Sequence, residues 1–475
     1  MNPLWAHQQR VIEMAAVEQD LALLMDPGVG KTRAMIETLR RKYATAGRIR
    51  KTLIFAPIVV CPNWKDEFAR YSKVNPKDIL VLTKSGKQRT SEFIEAVGEA
   101  LSGNKIVVTN YQATLMKDLY AVLFKWQPEI VVCDESQRVK NPKAKTALAV
   151  AALAERSFHN YILTGTPVLQ SAMDLFMQFR ILDRGATFGK NFFAFREQYF
   201  FDKNAGMDKT VHFPDWQPRP QSYELMQQKI AKKSVRAVKS ECLDLPPFIR
   251  QKLNVEMGSE QKKAYEAMRK DFLAFINDKH DVPRAVVAQL AVTKALRLLQ
   301  IVSGFASDEH GVTHRFKEVP RLDAIKELLE DRVETSKIIV WAVFKENYRM
   351  LEDVCKSIGV EYAMLNGELS AKQKQDEMDR FRTDPKCRVI IANQSAGGVG
   401  VNLIESDISI YYSRSTRLED DLQSEARNYR GGSDRHTSVT RMDLVTPGTI
   451  DELNMESLFN KQQIGEVILD WGNRV

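Results

Sequence analysis

The sequence predicts an α/β protein made of two lobes, each on its own parallel β-sheet, with a mostly helical insertion between them. Three observations carry this prediction. Over the first ~170 residues, short apolar runs rich in Val, Ile and Leu alternate with amphipathic segments, the pattern of strands buried on both faces. The same alternation returns from Lys337 onward. Between about 170 and 320 the texture changes to Phe-rich, charged stretches of helical character.

Taken in order, the strands of the first lobe are LALLM (21–25), TLIFAP (52–57), ILVLT (79–83), KIVVTN (105–110), EIVVCDE (129–135) and NYILTGT (160–166). The insertion carries LFMQFRILD, NFFAFREQYFF, SEQKKAYEAMRKDFLAFIND and VVAQLAVTKALRLLQIV as helices. It is broken at FPDWQPRP (213–220) and LDLPPFIR (243–250), where proline makes helix unfavourable and loops or crossings are expected. AKKSVRAVKS (231–240) reads as a helix with one basic side. The second lobe follows with KIIVWAV, EYAMLNG, CRVIIANQ, ISIYYS and SVTRMDLV. Residues 1–245 are therefore assigned to a first lobe (core about 1–170) with a helical protrusion, and 246–475 to a second (core about 316–475) preceded by a helical insertion.

Composition narrows the function. The 475 residues are 44% hydrophobic, and no apolar run approaches the ~18 residues of a membrane span. MNPLWAHQQR lacks the cationic and apolar regions of a secretory signal. Five scattered cysteines form no C-x-x-C pair, so neither a disulfide framework nor a zinc site is indicated and a reducing, intracellular compartment is expected. A net charge of +8 suits a polyanionic partner, although a solvated surface can carry the same charge.

Three short stretches carry chemistry. In MDPGVGKT (25–32) a strand runs into a glycine-containing loop and a helix begins, the arrangement that cradles phosphate. Gly28, Val29 and Gly30 would supply close backbone N–H groups, Lys31 would reach the β- and γ-phosphates, and Thr32 would ligate Mg2+. Met25 stands where the short motif has its first glycine. In EIVVCDE an apolar strand ends in Asp134, placed to hold Mg2+ through water, and Glu135, placed to orient the attacking water. In DLQSEARNYRGGS (421–433), Arg427 and Arg430 are spaced i, i+3 and would share one helix face. On spacing alone a solvated basic face is the simpler reading; the alternative is a pair of arginine fingers that reach the transferring phosphate.

With these pieces in order, the chain resembles the superfamily-two helicase-like ATPases and, within them, the Swi/Snf-type DNA translocases. LWAHQ (4–8) resembles the adenine-reading Q motif, with Gln8 as the reading amide. TLIFAPIVVCPNW, VVTNYQ and LTGTPVLQ are similar to motifs Ia, Ib and III. DESQRVKN resembles motif II with Gln137 in place of the usual His, and SAGGVGVNL (395–403) resembles motif V, whose Gly398 and Gly400 would line the nucleotide. LDLPPFIRQKLNVEMGSEQKKAY and ALRLLQI are similar to further family blocks, whereas YSRSTRLEDDLQ lacks the family's W-N-P before motif VI.

The resemblance implies two RecA-like lobes facing a cleft, ATP and Mg2+ as cofactors, and ATP hydrolysis stimulated by double-stranded DNA along which a monomeric motor translocates, remodelling DNA or protein–DNA complexes. A strand-separating DNA or RNA helicase is the alternative. DNA contacts are expected at Trp64, Thr109, Asn110, Arg138, Lys140, Asn141, Thr166, Ser395 and Ala396. A cytoplasmic prokaryotic or viral setting is expected, with no accessory histone-reading or nuclease domain.

Overall fold

The computed structural model describes residues 3–58, 60–84, 86–98, 101, 103, 105–206, 214–242, 244–277, 284–308, 312–395 and 401–469. The chain divides into two compact units, one built mainly on Met1–Asp244 and the other on Leu245–Asn460.

Among the described residues, the first unit holds a seven-stranded sheet whose pairings are all parallel. Its strands are β1 (Leu21–Met25), β2 (Thr52–Phe55), β3 (Ile79–Leu82), β4 (Ile106–Thr109), β5 (Ile130–Asp134), β6 (His159–Thr164) and β9 (Ser234–Ala237), in the order β3-β4-β2-β5-β6-β1-β9. β7 (Phe200–Asp202) and β8 (Trp216–Pro218) pair as a separate antiparallel hairpin. Every residue of β1, β2, β4 and β5 is buried, which explains why these strands read as continuous apolar runs. The aromatic run NFFAFREQYFF packs the protrusion's own core, where Phe195, Tyr199 and Phe200 are each 1% exposed and Phe195 meets Phe176, Phe188, Tyr199 and Phe200 at ring-centroid distances of 5.1–6.1 Å.

The second unit holds a six-stranded sheet, again with all pairings parallel. β10 (Phe248–Asn254), β13 (Ile338–Ala342), β14 (Glu361–Leu365), β15 (Cys387–Asn393), β16 (Ile408–Tyr411) and β17 (Val439–Val445) run in the order β10-β17-β16-β13-β15-β14; β11 (Phe305–Ser307) and β12 (Thr313–Arg315) form a hairpin of their own.

Three segments differ from expectation: FPDWQPRP, read as a loop or crossing, contains β8, and two others change class. AKKSVRAVKS does not continue as a basic helix: its centre is β9, which pairs with β1 from Ala22↔Ser234 to Met25↔Ala237. The β-branched Val235, 1% exposed, supplies the buried face, and pairing to a neighbour some 210 residues away overrides the local pattern. LDLPPFIR is likewise no simple crossing, since its last three residues open β10, an edge strand where the preceding prolines cost no ladder bond.

Candidate active site

The phosphate loop joins β1 to the helix Lys31–Ala46 at the carboxyl end of the sheet, the edge at which open α/β sheets bind ligands. Gly28 and Gly30 have φ of +90° and +79°, conformations that glycine adopts without steric cost. Gly30 is also crowded: a Cβ there would lie 2.4 Å from Nε2 of Gln8 and 3.2 Å from the Trp5 ring. Val29 is fully buried. The helix has no acidic residue in its first turn, so the positive end of its dipole is uncompensated by side chains. Met25, which replaces the motif's usual glycine, is the last residue of β1 and needs no positive φ; its carbonyl accepts from Lys31 Nζ at 2.9 Å, and that of Asp26 accepts at 3.2 Å. Lys31 is thereby held at the loop, and Thr32 is half-buried beside it.

Gln8 is 1% exposed and serves as part of the loop's wall. Its Oε1 accepts from the Trp5 amide at 3.0 Å and its Nε2 donates to the Gly30 carbonyl at 3.2 Å. His7 Nε2 lies 2.8 Å from the Val29 carbonyl. Sequence reading missed His7 and this grip on the loop.

Asp134 ends β5, two strands from β1 and so about 10 Å away across the sheet. Burial first, and Glu135 second, push its carboxyl up to about 7, offset in part by Lys31 and by the 3.0 Å hydrogen bond from Trp64 Nε1. A buried carboxylate so penalised gains strongly from a divalent cation, and with Thr32 it offers the oxygen donors Mg2+ prefers, so these residues fit the metal. Glu135 adopts the left-handed region at φ +53°, a strained conformation for a non-glycine residue and one that clusters at functional sites.

Glu135 is wired to the loop after β6. Gln137 Nε2 donates to Glu135 Oε2 at 2.8 Å, Thr164 Oγ1 donates to Gln137 Oε1 at 2.7 Å, and the Thr166 amide donates to Thr164 Oγ1 at 3.0 Å. A second path runs through the helix Asp174–Asp183. Ser136 bonds Gln178, whose Nε2 donates to the Pro167 carbonyl, while Asp174 accepts from Lys140, Leu169 N and Gln170 N. Gly165 completes the fit, because a Cβ there would meet Pro27 of the phosphate loop at 2.7 Å. Gln178 and Asp174 were not singled out from sequence; they lie some 40 residues from motif II and no local pattern marks them.

The arginine pair sits in the second unit. The helix Leu418–Glu425 stops before it, so Arg427 and Arg430 occupy the following turns and do not share a helix face as expected. Arg427 is 6% exposed and donates to the Val401 carbonyl at 3.2 Å; Arg430 is half-buried. A buried ionic cluster fixes this region: Arg441, 1% exposed, bonds Asp421 and Glu425 at 2.9 Å and Asp443 at 3.0 Å, with its guanidinium 3.9 Å from the Tyr411 ring centroid. Gly398, Gly400 and Ala396 lie outside the described residues.

The expected DNA contacts divide. Trp64 and Thr109 are corrections: both are fully buried, Trp64 on Asp134 and Thr109 Oγ1 on the Leu82 carbonyl, so neither side chain presents a surface to a strand. Asn110 and Thr166 are 8% exposed; Asn110 bonds Arg89 and Gln112. Arg138, Asn141 and Ser395 are exposed, and Lys140 is half-buried on Asp174.

Comparison with known proteins places this geometry. A model of the SNF2-related domain matches residues 7–302, and one of the helicase conserved C-terminal domain matches 320–432. The chain is 25% identical over 490 residues to the TATA-binding protein-associated factor mot1 of Aspergillus fumigatus, covering 91% of this chain and 25% of that protein. It is 24% identical to the CHD3-type chromatin-remodeling factor CHR7 of Arabidopsis thaliana (95% and 36% covered) and 23% identical to the mouse DNA repair and recombination protein RAD54B (97% and 55%). The chain thus spans a quarter to about half the length of these relatives. Among solved structures it is similar to the SWI2/SNF2 ATPase core of Sulfolobus solfataricus in complex with dsDNA, at 22% identity, a TM-score of 0.45 and coverage of 99% and 94%. Because the SNF2-related match spans more than half of the sequence, the chain belongs to the SNF2-related domain family.

Proposed function

We propose that this chain is a DNA-stimulated ATPase that translocates on double-stranded DNA and so remodels DNA or protein–DNA complexes. The observation that carries the reading is the wiring of Glu135 through Gln137 and Thr164 to the Thr166 amide. A phosphate loop alone would bind nucleotide; a water-orienting carboxylate whose position depends on a second, partly exposed loop gives hydrolysis a way to respond to a polymer. Family membership and the net charge of +8 support the same reading, as do relatives named for DNA repair, chromatin and a TATA-binding protein.

In this mechanism Gly28, Val29 and Gly30 present backbone N–H groups to the phosphates and Lys31 exchanges its two carbonyl acceptors for phosphate oxygens. Thr32 and Asp134 would hold Mg2+, which would supply positive charge against the transferring phosphoryl group. Glu135 orients the attacking water. Arg427 and Arg430 stabilise the transition state, a contribution of roughly a thousandfold or more in rate. Among the described residues, Arg138, Asn141 and Ser395 are exposed, and contact of such side chains with the phosphate backbone suits a motor that must pass every sequence.

Two assays together test this reading. Translocation predicts that ATP turnover rises more with duplex than with single-stranded DNA or RNA, and that the protein displaces a triplex-forming strand while leaving a forked duplex paired. Fork unwinding with preference for single strands would establish the helicase alternative instead.

A further inference from the structure

The segment that joins the two units is fastened in the first unit to the phosphate loop and in the second to the turn that carries the arginine pair. At its start, Arg236 of β9 donates to Asp26 Oδ1 and to the Leu24 carbonyl, both at 3.2 Å, and the Lys239 amide donates to Asp26 Oδ2 at 3.0 Å. The Asp26 amide in turn donates to the Ala237 carbonyl at 3.0 Å. Asp26 lies in the phosphate loop, and its own carbonyl and that of Met25 hold Lys31. The Asp26 carboxylate is thus the handle by which the departing chain grips the residues that position the phosphate-binding lysine.

At its far end the segment enters β10. Phe248, the first residue of that strand, packs against Tyr429 with ring centroids 4.5 Å apart and the rings tilted by 34°, and Tyr429 lies between Arg427 and Arg430. Two residues on, Arg250 bonds Glu425 at 2.5 Å, and Glu425 is also held by Arg441 at 2.9 Å. The turn that carries the arginine pair is therefore braced from the connecting strand as well as from β17.

Pro246 and Pro247 adjoin Phe248 and fix φ there, so slack is least where the strand begins.

We propose that Arg236–Arg250 is a strap that sets both catalytic loops, with Arg236 a positioning residue for Lys31 through Asp26, and Phe248 a positioning residue for Arg427 and Arg430 through Tyr429. The proposal rests on the ATPase reading given above.

The test is steady-state ATP hydrolysis with saturating duplex DNA. Arg236→Gln raises the KM for ATP about tenfold, with kcat within about twofold, because one charge-assisted contact that shapes the phosphate loop is lost. Phe248→Ala lowers kcat about tenfold at unchanged KM, and Phe248→Tyr restores it. A strap acting through the arginines also requires that Phe248→Ala cost a smaller fraction of kcat in an Arg430→Ala background than in the wild type, whereas a general loss of folded protein would multiply through. Unaltered kinetics in Arg236→Gln and Phe248→Ala, or an equal fractional loss from Phe248→Ala in both backgrounds, overturns the strap. Lys31→Ala is run alongside: turnover retained in that variant would overturn the ATPase reading, separately from the strap.

Discussion

Replacing Gln137 by Leu tests how Glu135, the proposed water-orienting carboxylate, is held. The side chain is 2% exposed; it donates to Glu135 Oε2 at 2.8 Å and accepts from Thr164 Oγ1 at 2.7 Å. Leucine has comparable bulk, so packing changes little while both bonds go. The bond to the Glu135 carboxylate is worth about 1.5–3 kcal/mol, which converts to roughly a ten- to hundredfold fall in kcat if it acts in the transition state. Nucleotide affinity should change little, because Gln137 contacts neither the phosphate loop nor Asp134 among the bonds described. The assay is ATP turnover with and without duplex DNA, beside equilibrium binding of a fluorescent nucleotide. DNA-stimulated turnover should fall more than DNA-free turnover, since the lost bonds connect Glu135 to the Thr166 loop. Thr164→Val combined with Gln137→Leu should be no worse than Gln137→Leu alone. Wild-type kcat in Gln137→Leu, or full additivity of the pair, would refute the relay.

Other expectations follow from the same geometry. Gly30→Ala forces a left-handed alanine at about 1–2 kcal/mol and drives Cβ into Gln8, so nucleotide affinity should fall by at least about tenfold by titration. Trp64→Phe removes the indole bond to Asp134 while keeping an aromatic in the core, and should raise the Mg2+ concentration needed for half-maximal turnover several-fold. Asp421→Asn leaves the buried Arg441 short of one partner and should destabilise the second unit by about 3–5 kcal/mol, read by amide hydrogen exchange in β16 and β17. Burial raises the Asp421 carboxyl, but Arg441 and then Arg414 more than offset this, so its pKa is lowered. Its contribution is therefore present above the ordinary carboxylate pKa of about 4 and lost as pH falls through the lowered value. The Asn variant should lack that acid-dependent component.

Much of the fold was legible because parallel strands buried on both faces must be apolar throughout: LALLM, TLIFAP, EIVVCDE and the second-lobe runs each became a strand. β9 was not legible, since four cations in AKKSVRAVKS mimic a helix face and only pairing to β1 makes it a strand. β10 was hidden by its neighbouring prolines, which an edge strand tolerates. Lys31, Asp134 and Glu135 stand where local spacing placed them, after β1 and at the end of β5, because a loop before a helix and a strand-end carboxylate are local devices. Gln178, Asp174 and Asp26 could not, as their partners are brought to them by tertiary structure. Trp64 and Thr109 were misassigned for a related reason: motif membership marks a position, whereas burial on Asp134 and on the Leu82 carbonyl decides what the side chain does.

The central claim is that hydrolysis at Asp134 and Glu135 is governed by duplex DNA. The most direct measurement is the ATP turnover of the wild-type protein and of Glu135→Gln as duplex DNA is titrated. The account predicts a saturable rise for the wild type and, for Glu135→Gln, retained ATP binding without turnover at any DNA concentration. A wild-type rate indifferent to duplex DNA, or a Glu135→Gln variant that turns over normally, would contradict it.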